Sequence, residues 1–145
     1  MHTKYHALIG IILAIMAYAI TKDIPASLVA FLLSWAPDAD HVIDYMIHER
    51  TFKLNPHKLL TGQHYLEHET MYIPLHAYEL TPLIYLTAQA ILGAMAAITA
   101  VIAYLLHLVT DTITNPIYPR TLLMTWRIVK RFRLEHLCRD RKPTS

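Results

Sequence analysis

Apolar residues gather into four segments along the chain, separated by polar breaks. The first runs from about Tyr5 to Ile20 and stops at Thr21-Lys22-Asp23. The second runs from about Ala26 to Trp35 and stops at Ala36-Pro37, with Pro25 placed to open its first turn. A polar stretch from Asp38 to about Tyr72 follows and holds five of the histidines. From Leu80 to Thr110 there is no Asp, Glu, Lys or Arg. As one helix that run would span about 46 Å, against a hydrocarbon core of roughly 30 Å. A break near Gln89–Gly93, giving a third and a fourth helix, fits a bilayer better. One long tilted helix is the alternative. The first two segments are short for full spans and imply local thinning or partial insertion.

Asn115-Pro116 and Pro119 end the last apolar helix. Beyond them, Leu122, Trp126, Val129 and Phe132 recur with Arg127, Lys130, Arg131 and Arg133 between them. That spacing predicts a basic amphipathic helix, which would lie on an anionic membrane surface or simply be solvated. The pattern as a whole predicts an all-α fold, a membrane helical bundle of about four apolar helices plus this C-terminal helix. Residues 1–119 would form the membrane-embedded, metal-binding domain and residues 120–145 a basic amphipathic tail.

Composition strengthens the membrane reading. The chain is 54% hydrophobic with a mean hydropathy of +0.31, and has only three glycines and little β-type alternation. Cys138 is the only cysteine, so an intramolecular disulfide and thiolate zinc clusters are both excluded. Lys4 precedes the apolar Ala7–Ile20 run, but no small-x-small cleavage pattern follows it. A retained helix is therefore expected rather than a signal peptide. The net charge of +2 hides an asymmetry. Residues 1–119 carry five Lys/Arg against nine Asp/Glu, and residues 120–145 carry eight against two.

Helix order places the candidate chemistry. His6 opens the first helix; Asp38, Asp40 and His41 follow the second. His68 and His76 lead into the third, and His107 and Asp111 close the fourth. If the helices run up, down, up, down, all of these lie at one end of the bundle. Every Lys/Arg but Lys22 falls on the same side, which the positive-inside rule makes cytoplasmic.

His107 and Asp111 are four apart and share one helical face. At the end of a hydrophobic helix they either pair with each other or ligate a metal. Asp38, Asp40 and His41 crowd two carboxylates and an imidazole into four residues. Such a run is either a solvated capped loop or a cation site, and its carboxylates are able to bridge two metals. His2, one turn before His6, is a weaker candidate. His64 and His68 are also one turn apart, and either is a candidate ligand, the other an outer partner. Asp40 or Glu79 is the candidate general base. His48, His57 and His136 are read as surface residues. Histidine and carboxylate donors without thiolates suit zinc first, with manganese or iron as alternatives.

The runs Tyr5-His6-Ala7-Leu8-Ile9-Gly10, Ala36-Pro37-Asp38-Ala39-Asp40-His41, Leu75-His76-Ala77 and Leu105-Leu106-His107-Leu108-Val109-Thr110-Asp111 carry a resemblance over roughly residues 2–119. In this order they resemble the membrane-bound metal-dependent hydrolases, inner-membrane proteins of which some are described as LexA-binding. That family usually carries His-Arg-Gly-x-Thr-His-Ser in mid-chain. This chain departs there, with His68-Glu69-Thr70 and then His76 eight residues on. The motif order is also similar to that of zinc-dependent phospholipase C. By that similarity His6, Asp38, His68, His107 and Asp111 would hold metal, with Asp111 as a bridge.

The resemblance implies a metal-dependent hydrolase of a phosphoester or phospholipid, with membrane lipid as its partner. Two rivals are a metal-binding or metal-moving membrane protein and a metal-stapled structural one. A transport path would need ionisable residues through the membrane depth, where the first three segments are almost wholly apolar. A nucleic-acid partner would rest on the basic tail alone, and the tail lacks interleaved aromatics beyond Trp126 and Phe132.

Overall fold

The computed structural model describes residues 3–140, and every regular element among them is helical apart from two isolated bridges, Thr70 with Arg133 and Ile117 with Cys138. The first two apolar runs become α1 (Thr3–Thr21) and α2 (Ile24–Leu33). Asp23 builds the turn between them. Its carboxylate accepts the Ala26 N–H at 3.2 Å, and Pro25 occupies the first turn of α2. A 3₁₀ turn, Ala36–Asp38, leads into α3 (Ala39–Glu49), and the short α4 (Pro56–Thr61) and α5 (Gln63–His68) follow.

The uncharged run divides as the bilayer argument requires, into α6 (Thr81–Leu92) and α7 (Ala94–Thr114). Gly93 turns the chain between them at φ 92°, a conformation that glycine adopts without a Cβ clash. A second 3₁₀ turn, Tyr78–Leu80, precedes α6.

α7 is the central element and packs against α1, α2 and α6. Ala96, Ala97, Ala100 and Ala103 are fully buried along it, and such small side chains let helix backbones approach closely. Gly10 does the same for α1. A Cβ there would stand 2.9 Å from the Ser34 Cβ, so α1 meets the end of α2 only because position 10 lacks one. Towards its C-terminal end α7 changes partners. Tyr104 and Leu108 join Met71, Ile73, Ile117, Leu122, Leu134 and Leu137 in a second core.

The expected C-terminal amphipathic helix is not one helix. It is a 3₁₀ turn (Pro119–Leu122) followed by α8 (Met124–Val129) and α9 (Leu134–Leu137). Arg131 and Phe132, at φ 51° and 58°, break the chain between the last two. Its polar side is not all outward, because Arg127 is fully buried. The guanidinium donates to the carbonyls of Tyr72, Ile73 and His76. That irregular loop leaves carbonyls that no helix satisfies, and one buried arginine supplies five donors for them. This local demand, together with the burial of Leu122, Leu134 and Leu137, overrides the helical period.

α7 is the one described helix long and apolar enough to cross a membrane. Its 21 residues span about 32 Å at 1.5 Å per residue. Large apolar side chains are exposed all round this half of the molecule, among them Ile15 and Ile20 on α1, Leu28 on α2, Leu86 on α6 and Ile102 and Ile113 on α7.

Candidate metal centre

Four elements converge at the end of α7. α1 brings His6, the 3₁₀ turn after α2 brings Asp38, the 72–77 loop brings His76, and α7 brings His107 and Asp111 one turn apart. All five are buried. Asp111 is the hub. One carboxylate oxygen lies 3.2 Å from His6 Nε2, and the other lies 3.0 Å from His76 Nε2 and 3.4 Å from His107 Nε2. Asp38 Oδ1 stands 3.8 Å from His76 Nε2, 3.9 Å from His107 Nε2 and 3.7 Å from His41 Nε2.

Tautomers decide what these contacts mean. His107 Nδ1 is 2.8 Å from the Ser34 carbonyl, which only accepts, so Nδ1 carries the proton. His76 Nδ1 is 3.0 Å from an Asp40 carboxylate oxygen, so it donates as well. Both Nε2 atoms are then bare in the neutral rings. They face each other at 3.0 Å and face carboxylate oxygens besides. Lone pairs opposed in this way repel unless a cation lies among them. A proton is one such cation. Burial opposes charge on His76, but its hydrogen bonds to Asp111 and Asp40 prevail and hold its pKa at about 9.

A metal ion fits the same space. Five of the six pairs among His76, His107, Asp38 and Asp111 are separated by 3.0–3.9 Å. Donor atoms around a tetrahedral zinc lie about 3.3 Å apart, given bonds of about 2.0–2.2 Å. Both oxygens of Asp38 are buried without a hydrogen-bond partner, and burial raises its pKa. Two groups able to hold a metal ion share this residue: His6, Asp38, His107 and Asp111 form one, and Asp38, His41 and His76 the other. His41 is kept neutral because burial, and next the charge of His76, lower its pKa to about 3.

Around the donors stands a shell that fixes them. Asp40 Oδ2 accepts the Leu75 N–H at 2.7 Å as well as His76 Nδ1–H. It therefore stands behind His76 rather than beside a metal. Arg127 clamps the carbonyl of His76 itself, at 2.9 Å. Tyr104 ties the same loop to α7, donating to carbonyls on either side of His76 and accepting the Ala77 N–H. Tyr65 places His41, with its hydroxyl 2.6 Å from Nδ1.

Of the residues singled out from sequence, His6, Asp38, His41, His76, His107 and Asp111 meet here. Two do not. His68 is half-exposed and pairs with Glu49 at 3.4 Å, because α5 ends at Glu69 in a left-handed turn that points it away. Glu79 caps α8, accepting the Met124 and Thr125 N–H groups at 3.0 Å. Neither its position nor its partners suit a general base. His64 is buried beside Tyr45 and Tyr65 but outside the donor groups. His2 lies outside the described residues. His48 is no surface residue, since it pairs with the buried Asp44 at 2.8 Å. Asp44 and His48, one turn apart on α3, repeat the spacing of His107 and Asp111 in reverse. Sequence could have shown them. Tyr65 and Arg127 gave no such signal.

No family model matches the chain, nor does any curated protein or solved structure. The functional reading therefore rests on this geometry.

Proposed function

We propose that the protein is a membrane-embedded, metal-dependent hydrolase acting on a phosphoester. Its buried centre would be held by His6, His107, Asp111 and Asp38 on one side and by Asp38, His41 and His76 on the other. The observation that carries the reading is Asp38, a buried carboxylate whose two oxygens lack any hydrogen bond and whose Oδ1 faces the Nε2 atoms of His76 and His107. A divalent cation bound there supplies Lewis acidity toward water and toward a phosphoryl oxygen. Zinc suits this donor set best, and two ions fit the two donor groups.

The chain's own residues supply the rest. Asp38 belongs to both groups and is the natural bridge. Asp40 fixes the ring of His76 and keeps its proton on Nδ1. Hydrolysis adds water across the phosphorus–oxygen ester bond: the hydroxyl goes to phosphorus and a proton to the departing alcohol. Tyr65 bonds Nδ1 of His41 and so turns its Nε2 toward Asp38.

The apolar belt and α7 support residence in a bilayer. The Lys/Arg bias supports a cytoplasmic position for the centre.

A metal-stapled structural protein is the second reading, and the near-complete burial of His6 and His107 favours it. Purified protein in detergent decides between them, with metals measured and a panel of phosphoesters assayed for the wild type and Asp111→Ala. Stoichiometric zinc with metal-dependent turnover, lost in Asp111→Ala, is the expected result. Stoichiometric zinc without turnover selects the staple. No metal after reconstitution overturns both.

A further inference from the structure

A cavity of about 210 Å³ abuts the centre, and His41, His76 and Asp111 form part of its wall. Away from those three its lining is of another kind. Leu59, Leu66, Met71, Ile73, Ile117 and Leu134 make half of it. No lysine or arginine lines it, so nothing greets a second anionic group. The few polar side chains there are already engaged. Thr61 bonds the His57 carbonyl at 2.8 Å, Tyr65 bonds His41 at 2.6 Å, and the Asn115 amide bonds Asp111 at 2.9 Å. A glycerol, sugar or choline group placed here would lose water and find little in exchange.

We propose that this cavity receives the hydrocarbon part of an amphiphilic phosphoester, whose phosphoryl group lies against His41, His76 and Asp111. The substrate thus enters tail first, and the polar remainder faces out. The inference rests on the hydrolase reading above and adds the class of substrate to it. Two features support it besides the lining. Leu66 of the lining is itself 51% exposed, and Leu60, between the lining residues Leu59 and Thr61, is 53% exposed. Such a rim suits an amphiphile taken from a lipid surface. The volume is also below the roughly 300–1,000 Å³ of pockets that enclose drug-sized ligands. It takes a short stretch of chain and no more.

The test uses n-alkylphosphonates from methyl to decyl, which resist hydrolysis, titrated by calorimetry into the full-length, zinc-loaded protein in nanodiscs. Affinity should rise by about fourfold per methylene at the short end and then level off once the cavity is filled. The plateau separates the cavity from simple partitioning, which continues with every methylene. A flat series, or a rise that continues to decyl as in empty nanodiscs, overturns the proposal. Leu66→Arg, at a half-exposed position where folding tolerates charge, should lower the ratio of hexyl to methyl affinity by about tenfold. An unchanged ratio places the chain elsewhere and also overturns it. If the protein retains no zinc, the hydrolase reading fails. The same series in the metal-free protein then decides the cavity on chain length alone.

Discussion

Among the described residues, two places gather histidine and carboxylate within metal-ligand distance, and they differ in burial and in partners. At the end of α7 the donors are buried, and Asp38 is left without a hydrogen bond. At the surface, two carboxylates and one histidine, Glu49, Glu67 and His68, also meet, but two of the three are exposed. There Lys58 already fills the gap, 2.7 Å from Glu49 and 2.5 Å from Glu67. An ammonium satisfies that cluster, and water can satisfy it again. No described lysine or arginine reaches the buried donors in that way. Composition alone does not single out a candidate metal site; burial that strips a carboxylate of water and of hydrogen bonds does.

The sharpest way to break this contrast is to remove one carboxylate from each place. Asp111→Ala should lower zinc affinity by more than the roughly 100-fold upper range seen for outer partners of a ligand. Glu67→Ala should leave zinc stoichiometry and affinity unchanged. Competition with a fluorescent chelator reads both. Equal losses would mean that the surface cluster holds the ion.

Next in size is the clamp that builds the buried place. Arg127→Ala strips donors from three carbonyls of the 72–76 loop, those of Ile73 and His76 being buried. Stability should fall by about 3 kcal/mol or more, read by denaturant unfolding in mixed micelles. Zinc affinity should fall with it, because the loop carries His76. A stable variant with intact zinc binding would show that the loop holds itself.

These two tests also mark what could be read from the chain and what could not. The four apolar runs, their breaks and the convergence of His6, Asp38, His107 and Asp111 were legible, because helix order alone puts them at one end. Period and composition carry that information. The role of Arg127 was not legible. Its place in a basic repeat suggested an outward face, and only the unsatisfied carbonyls of a distant loop drew it inside. His68 misled for a related reason. Its helix stops one residue later, and a left-handed turn at Glu69 is invisible in a hydrophobic pattern. The cavity beside the centre was likewise unseen, since it is made of residues far apart in sequence.

A smaller effect should follow at Asp40, which bonds His76 from behind. Asp40→Asn offers Leu75 an acceptor still, but it weakens the charge that fixes His76. Loss of such an outer partner costs about 10–100-fold in metal affinity. The chelator assay should place Asp40→Asn between the wild type and Asp111→Ala. A loss as great as that of Asp111→Ala would make Asp40 a direct ligand.

The mildest test concerns Glu79, the carboxylate that lies away from the centre. Burial works against its charge, but the N–H groups of Thr125 and Met124 outweigh this and bring its pKa from 4.5 to about 2. A lowered folded pKa stabilises the protein above the unfolded value and ceases to do so as pH falls through the folded one. The contribution should therefore be complete above about pH 4.5 and gone near pH 2. The carboxylate is exposed, so solvent screening leaves about 1 kcal/mol of it. Glu79→Gln should lower the unfolding midpoint slightly at neutral pH, and the gap to the wild type should close on acidification. Zinc binding should not change. A metal-binding defect in Glu79→Gln would join α8 to the centre in a way that its hydrogen bonds do not.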